Sequence, residues 1–135
     1  MSFSVLTKGH YDYVDVTRKV QDGIKEYGAR DGVAVVFVDG STAAITTMEY
    51  EEGVAKDITE VLEHIAPERG EYEHHQKWGD KNGAAHIKAA LIGPSVVVPV
   101  RAGRLGLGRW QQIVLIDFDE KPREREIHVT LLEAS

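Results

Sequence analysis

The chain has 135 residues, 42% of them hydrophobic, which suits one well-cored domain over residues 1–135 and leaves little room for two. A formal net charge of −6 argues against a general nucleic-acid binder, which needs a basic face to neutralise phosphates. With no cysteine, disulfides, thiolate chemistry and cysteine-bound zinc are excluded, so any metal must sit on His, Asp or Glu. Along the chain, residues 2–8 alternate weakly and predict a strand. Residues 11–16 predict another, with Tyr11, Tyr13 and Asp15 on one face. A helix follows: Thr17 is the expected N-cap, Val20, Ile24 and Tyr27 form an apolar face, and Gly28 stands where a left-handed C′ residue belongs.

Residues 33–38 are a continuous apolar run rich in β-branched side chains, as in a strand buried on both faces. Asp39-Gly40-Ser41 reads as a turn and residues 43–48 as the returning strand. Val54, Ile58, Leu62 and Ile65 recur at helical spacing as one buried stripe, and Pro67 stops that helix. Residues 69–83 lose periodicity, and residues 84–91 predict a short helix ended by Gly93-Pro94. Residues 96–100 form a strand in which Pro99 marks an edge or a bulge. Residues 101–109 form a basic glycine-bearing loop, and residues 110–118 and 127–132 are the last strands. Without βαβ alternation the fold class is α+β, with two main helices and one short one.

Chemistry is concentrated where periodicity fails. Tyr72-Glu73-His74-His75-Gln76-Lys77-Trp78-Gly79-Asp80, followed by His86, gathers imidazoles and carboxylates at irregular spacing. Such a set suits a divalent metal site or general acid–base work near neutral pH, and equally a solvated loop with surface histidines. Asn82-Gly83 is a favoured turn dipeptide. Asn82 is also the chain's only asparagine, which leans toward a heat-adapted source because asparagine is thermolabile. Arg101, Arg104 and Arg109 alternate with glycines that admit a ligand to the backbone, as phosphate recognition requires. A flexible basic hairpin is the plainer reading. Glu49 ends an apolar strand, where a carboxylate either enters a site or faces solvent. No apolar run approaches the roughly 18 residues of a membrane span, and residues 1–10 are too polar for a secretory signal. The expectation is a cytoplasmic protein without a membrane or nucleic-acid partner.

Taken together, these blocks resemble the YjbQ family, whose members carry the label secondary thiamine-phosphate synthase. The resemblance runs through Gly40-Ser41-Thr42-Ala43-Ala44-Ile45-Thr46, Glu49, Gly70-Glu71-Tyr72-Glu73-His74, Asp80, Ala85-His86-Ile87-Lys88 and Gly93. It continues through Pro99-Val100-Arg101-Ala102-Gly103-Arg104-Leu105 and Gly108-Arg109-Trp110-Gln111. It implies a compact mixed β-sheet or β-sandwich that assembles as a homotrimer and handles a small phosphorylated molecule. His74, His86, Glu49 and Asp80 are then the expected catalytic residues. Lys88, Arg101, Arg104 and Arg109 would serve ligand binding. A divalent ion, zinc or magnesium, would sit on His74 and His86, with His75 as a substitute ligand. Many family members have a histidine where this chain has Gly40, and an aspartate is common at the position of His75. Two functions follow: a metal-assisted thiamine-phosphate synthase, or a non-enzymatic oligomeric module that binds a metal ion or a phosphorylated metabolite.

Overall fold

The computed structural model describes the backbone of residues 1–135 and every side chain except those of residues 77 and 78. Eight strands and four helices follow one another: β1 (Ser2–Thr7), β2 (Asp12–Asp15), α1 (Thr17–Tyr27), β3 (Gly32–Val38), β4 (Ala43–Met48), α2 (Glu52–Ile65), α3 (Glu73–Trp78), α4 (Gly83–Ile92), β5 (Ser95–Arg101), β6 (Arg104–Leu105), β7 (Gln112–Asp117) and β8 (Arg123–Glu133). They form two sheets, in the orders β1-β8-β3-β5-β6 and β2-β7-β4, with antiparallel pairing throughout.

The apolar run Ile113-Val114-Leu115-Ile116 shows how the layers stack. Strand side chains alternate faces. Ile113 and Leu115 enter the core between the two sheets, with Ala34, Val36, Ile45 and Ile127. Val114 and Ile116 enter a second core beneath α2 and α4, with Ala44, Leu62, Ala85 and Ala89. The small sheet is therefore buried on both sides, and no polar alternation is available to mark its strands. α1 adds Val20 and Ile24 to the first core and ends at Gly28 in the left-handed conformation (φ 84°), as its sequence predicts.

Local chemistry changes some expectations. Val16, not Thr17, is the N-cap of α1; the Thr17 hydroxyl donates to Asp15 Oδ1 (2.7 Å) and accepts the Ile113 amide proton (2.8 Å), stitching α1 to β7. α2 is capped by the Glu51 carboxylate, which accepts the amide protons of Gly53 and Val54. Its stripe is shallower than predicted: Leu62 is buried, whereas Ile65 is 58% exposed. The segment without periodicity holds a six-residue helix, α3, too short to show a pattern. Pro99 fits inside β5 because β6 pairs only with Val100 and Arg101, so Pro99 owes no amide proton to an outer neighbour. Among the described residues no helix is long and apolar enough to cross a membrane.

Candidate active site

The site forms where β3 ends, β4 begins, β7 ends and α4 starts. Asn82 is the N-cap of α4, and Gly83 is its first residue. A Cβ on Gly83 would stand 2.6 Å from Tyr72 Cβ and 3.0 Å from His75 Nε2, so only glycine lets α4 approach α3 this closely. The Gly83 amide donates to His75 Nε2 (3.0 Å), and the Tyr72 hydroxyl donates to the Pro67 carbonyl (2.6 Å). These contacts dock α3 on α4 and bring His74 against His86, with ring centroids 4.4 Å apart and planes tilted by 56°. His74 Nε2 lies 3.1 Å from Asn82 Oδ1. Burial first, and then the neighbouring His74 ring, depress the pKa of His86 below the ordinary imidazole value. Asp119, Asp80 and a hydrogen bond to the Ser41 carbonyl oppose the shift without reversing it. His86 is therefore neutral near pH 7 and able to accept a proton. It borders a cavity of about 240 Å³ with Gly40, Ser41, Ala43, Ala89 and Pro94.

Beneath the imidazoles runs a buried ionic network. Asp117 and Asp119 leave the end of β7 two residues apart and so share a face, the one turned toward the larger sheet. Arg125 of β8 grips Asp117 through two hydrogen bonds, Nε to Oδ2 (2.7 Å) and Nη2 to Oδ1 (2.9 Å), and donates to Thr42 Oγ1 (2.7 Å). Thr42 donates to Asp119 Oδ2 (2.8 Å), Arg123 Nε donates to the same oxygen (2.9 Å), and Asn82 Nδ2 donates to Asp119 Oδ1 (3.3 Å). Burial raises the Asp119 pKa, but donors from Thr42, the Glu120 amide, Arg123 and Asn82 outweigh it and hold the carboxyl below its ordinary range. The fixed charges thus lie directly behind Asn82 and the histidine pair.

The structure sorts the residues singled out from the sequence. His74 and His86 meet, and Asp80 is exposed but close enough to act on His86 electrostatically. His75 is committed elsewhere: its Nε2 accepts the Gly83 amide proton, and its ring stands 6.4 Å from that of His74. Among the described residues no group of three or more His, Asp or Glu side chains converges to hold a metal ion. A divalent ion on the His74–His86 pair would take its other positions from water or ligand oxygens.

Glu49 is not brought to the site. β4 runs away from Thr42, and at about 3.3 Å per residue Glu49 lies roughly 20 Å further along. Arg101, Arg104 and Arg109 gather at that far end too: β5 pairs Val100 with Gly32 at the start of β3, whereas the histidine pair lies beyond Val38 at its finish. The arginine loop is pinned there by Gly103 N–H to the Arg30 carbonyl (2.8 Å) and Leu105 N–H to Gln21 Oε1 (2.9 Å). Lys88 also departs from expectation. Two residues beyond His86 it faces the protein interior, 1% exposed, with Nζ 2.6 Å from Glu63 Oε2 and 4.3 Å from the Tyr11 ring centroid. The Tyr11 hydroxyl donates to the same Glu63 carboxylate, so Lys88 ties α4 to α2 and to the residue just ahead of β2 rather than reaching a ligand.

Sequence reading missed Asp117, Asp119, Arg123 and Arg125. The available signal was two carboxylates, Asp117 and Asp119, closing an apolar strand that has no solvent face, opposite a strand carrying Arg123 and Arg125 two residues apart.

Comparison with known proteins gives a consistent result. The family model described as UPF0047 protein YjbQ-like matches residues 1–134. A UPF0047 protein of Archaeoglobus fulgidus is 37% identical over 132 residues, covering 98% of this chain and 100% of the relative. The UPF0047 protein YugU of Bacillus subtilis is 32% identical, with 97% of each chain covered. Among solved structures, an uncharacterised conserved protein of the YjbQ/UPF0047 family from Clostridium acetobutylicum superposes with a TM-score of 0.88 at 35% identity, covering 98% of this chain and 99% of that one. A protein of unknown function from Sulfolobus solfataricus superposes with a TM-score of 0.89 at 31% identity, covering 99% of this chain and 97% of that one.

Proposed function

The chain belongs to the UPF0047 YjbQ-like family, and from that premise we propose that it is an enzyme whose His74–His86 pair transfers protons on a small phosphorylated molecule. The observation that carries this reading is the contact itself. Two imidazoles 4.4 Å apart, one of them held neutral, rest on a buried ionic network. A solvated loop with stray surface histidines would need neither the Gly83 contact that assembles the pair nor the charges that back it. A positioned acid–base group contributes about 10²–10⁴-fold in rate.

The specific reaction proposed is thiamine-phosphate synthesis, in which a thiazole phosphate joins a pyrimidine diphosphate and pyrophosphate departs. The departing charge needs cations. Within one protomer the arginine loop is at the wrong end of the sandwich, so Arg101, Arg104 and Arg109 serve this site only across an interface between copies. The exposed apolar face of the larger sheet, with Phe37, Val97 and Leu132 39%, 63% and 59% exposed, supports assembly, proposed here as a homotrimer.

A divalent ion is a second component of the proposal, favoured by the adjacency of the two imidazole rings. Turnover assays on pure, tag-free protein with the two phosphorylated substrates, with and without a chelator, test all parts. Turnover abolished by the chelator supports the metal-assisted form, and turnover that survives it supports the imidazoles alone. No turnover, with the same compounds still bound in calorimetry, replaces the enzyme with a non-enzymatic binding module.

A further inference from the structure

We propose that Asn82 and Asp119 are positioning residues that fix His74 as the Nε2–H tautomer, leaving Nδ1 as its basic atom. The inference deepens the acid–base reading above and rests on it for its functional meaning.

Asp119 is 1% exposed and Asn82 7%. Every neighbour within hydrogen-bonding distance of the Asp119 carboxylate is a donor: the Glu120 amide (2.7 Å) and Asn82 Nδ2 (3.3 Å) at Oδ1, Thr42 Oγ1 (2.8 Å) and Arg123 Nε (2.9 Å) at Oδ2. An ionised carboxylate accepts only, so the Asn82 side chain must turn its NH₂ group toward Asp119. That choice leaves no freedom at the other end. Oδ1 faces His74, and an amide oxygen also accepts only, so Nε2 of His74 must carry the proton at their 3.1 Å contact. In a neutral imidazole the second nitrogen then holds the lone pair. The charge on Asp119 is thereby translated, through one rotated amide, into the tautomer of a histidine it never touches.

The His74 ring thus gives its N–H to the protein and, when neutral, keeps its lone pair at Nδ1. The His86 ring stands beside it, with centroids 4.4 Å apart, on the cavity that Ser41 also borders. Neutral His74 therefore presents an acceptor at Nδ1. The ligand group that belongs there is a proton donor, a hydroxyl or an N–H, and not a phosphate dianion. A phosphorylated ligand accordingly places its phosphate elsewhere and a hydroxyl or amine at the imidazoles.

Long-range ¹H–¹⁵N correlation spectra of the histidine rings at pH 8 read the tautomer directly. The wild-type protein should show His74 Nε2 protonated and Nδ1 unprotonated. Asp119→Asn lets the Asn82 amide rotate, and Asn82→Leu removes the acceptor while keeping similar bulk. Each should convert the single His74 form into a mixture of tautomers. Inorganic phosphate at the same pH should leave the ring shifts of His74 and His86 in place. A wild-type His74 protonated at Nδ1, a single tautomer unchanged in Asn82→Leu, or ring shifts that move with phosphate would each overturn the inference. Because no turnover is involved, the spectra stand whether or not the enzyme assay succeeds, and the two failures are distinguishable.

Discussion

At the scale of single residues, the site depends on Gly40 as much as on its histidines. Gly40 has φ 110°, and a Cβ there would stand 2.7 Å from Arg125 Nη1. Any side chain would strain the backbone and push the guanidinium away from Asp117, whose carboxylate has 0% exposure in this ion pair. Disturbing a buried pair of this kind costs on the order of 3–5 kcal/mol, and a left-handed non-glycine residue adds about 1–3 kcal/mol. Gly40→Ala should therefore destabilise the protein by at least about 2 kcal/mol in urea denaturation; a loss below about 0.5 kcal/mol would show that Arg125 relaxes freely.

His86 supplies a pH test. Its folded pKa is lowered, so between that value and the ordinary 6.5 the unfolded chain binds the extra proton. Stability from this group is then complete above about pH 6.5 and is lost as pH falls through the folded pKa. His10 acts in the opposite direction. Its hydrogen bond to Glu68 raises its pKa against the effect of burial, so its contribution is present below 6.5 and is lost as pH rises through the folded value. An NMR titration should give His86 a midpoint below 6.5 and His10 a midpoint above it; the reverse order would contradict the environments described.

At the scale of elements, Lys88 shows what spacing can and cannot convey. On a helix, His86 and Lys88 point about 200° apart, from 100° per residue. One faces the site, and the other must pass into the interior or out to solvent. The structure sends Lys88 inward to Glu63 and Tyr11. Lys88→Met leaves the Glu63 carboxylate without its cation, so it should lower stability by about 1–3 kcal/mol yet leave ligand affinity within about threefold, because the side chain lies outside the site. A large loss of affinity without loss of stability would return Lys88 to the binding site.

Much of the fold was legible at this scale. Long periodic or β-branched segments such as α1, β3 and β4 declared themselves, because their patterning is the direct consequence of burial. α3 was hidden by its six residues, and the ionic network by distance in sequence: Thr42, Asn82, Asp117 and Arg125 meet only through the sheet pairing, which one sequence does not display. His74 was legible because it stands in the polar, aperiodic segment, whereas His86 lies on the predicted helix 84–91 and was joined to it by the family resemblance. The misplacement of Glu49 and the arginines came from treating nearness in a family pattern as nearness in space.

At the scale of the whole molecule, the larger sheet presents an apolar outer face: Val35 pairs with Val97 and Thr130, Val33 with Pro99 and Leu132, and Phe37 with Ser95 and His128. Exposed faces of this kind mark interaction surfaces. The protein should therefore scatter light as three copies of the 15.0 kDa chain at micromolar concentration. A charge on the face, as in Val97→Lys, should reduce it to monomers; a stable wild-type monomer would leave the arginine loops without any route to a histidine pair.

The most direct test of the central claim is the turnover rate of His86→Ala against wild type, on tag-free protein of verified fold, with thiazole phosphate and pyrimidine diphosphate as substrates. Proton transfer by the imidazole pair predicts a fall in kcat of about 10²–10⁴-fold with substrate affinity held within about tenfold. Wild-type kcat in His86→Ala would contradict the account.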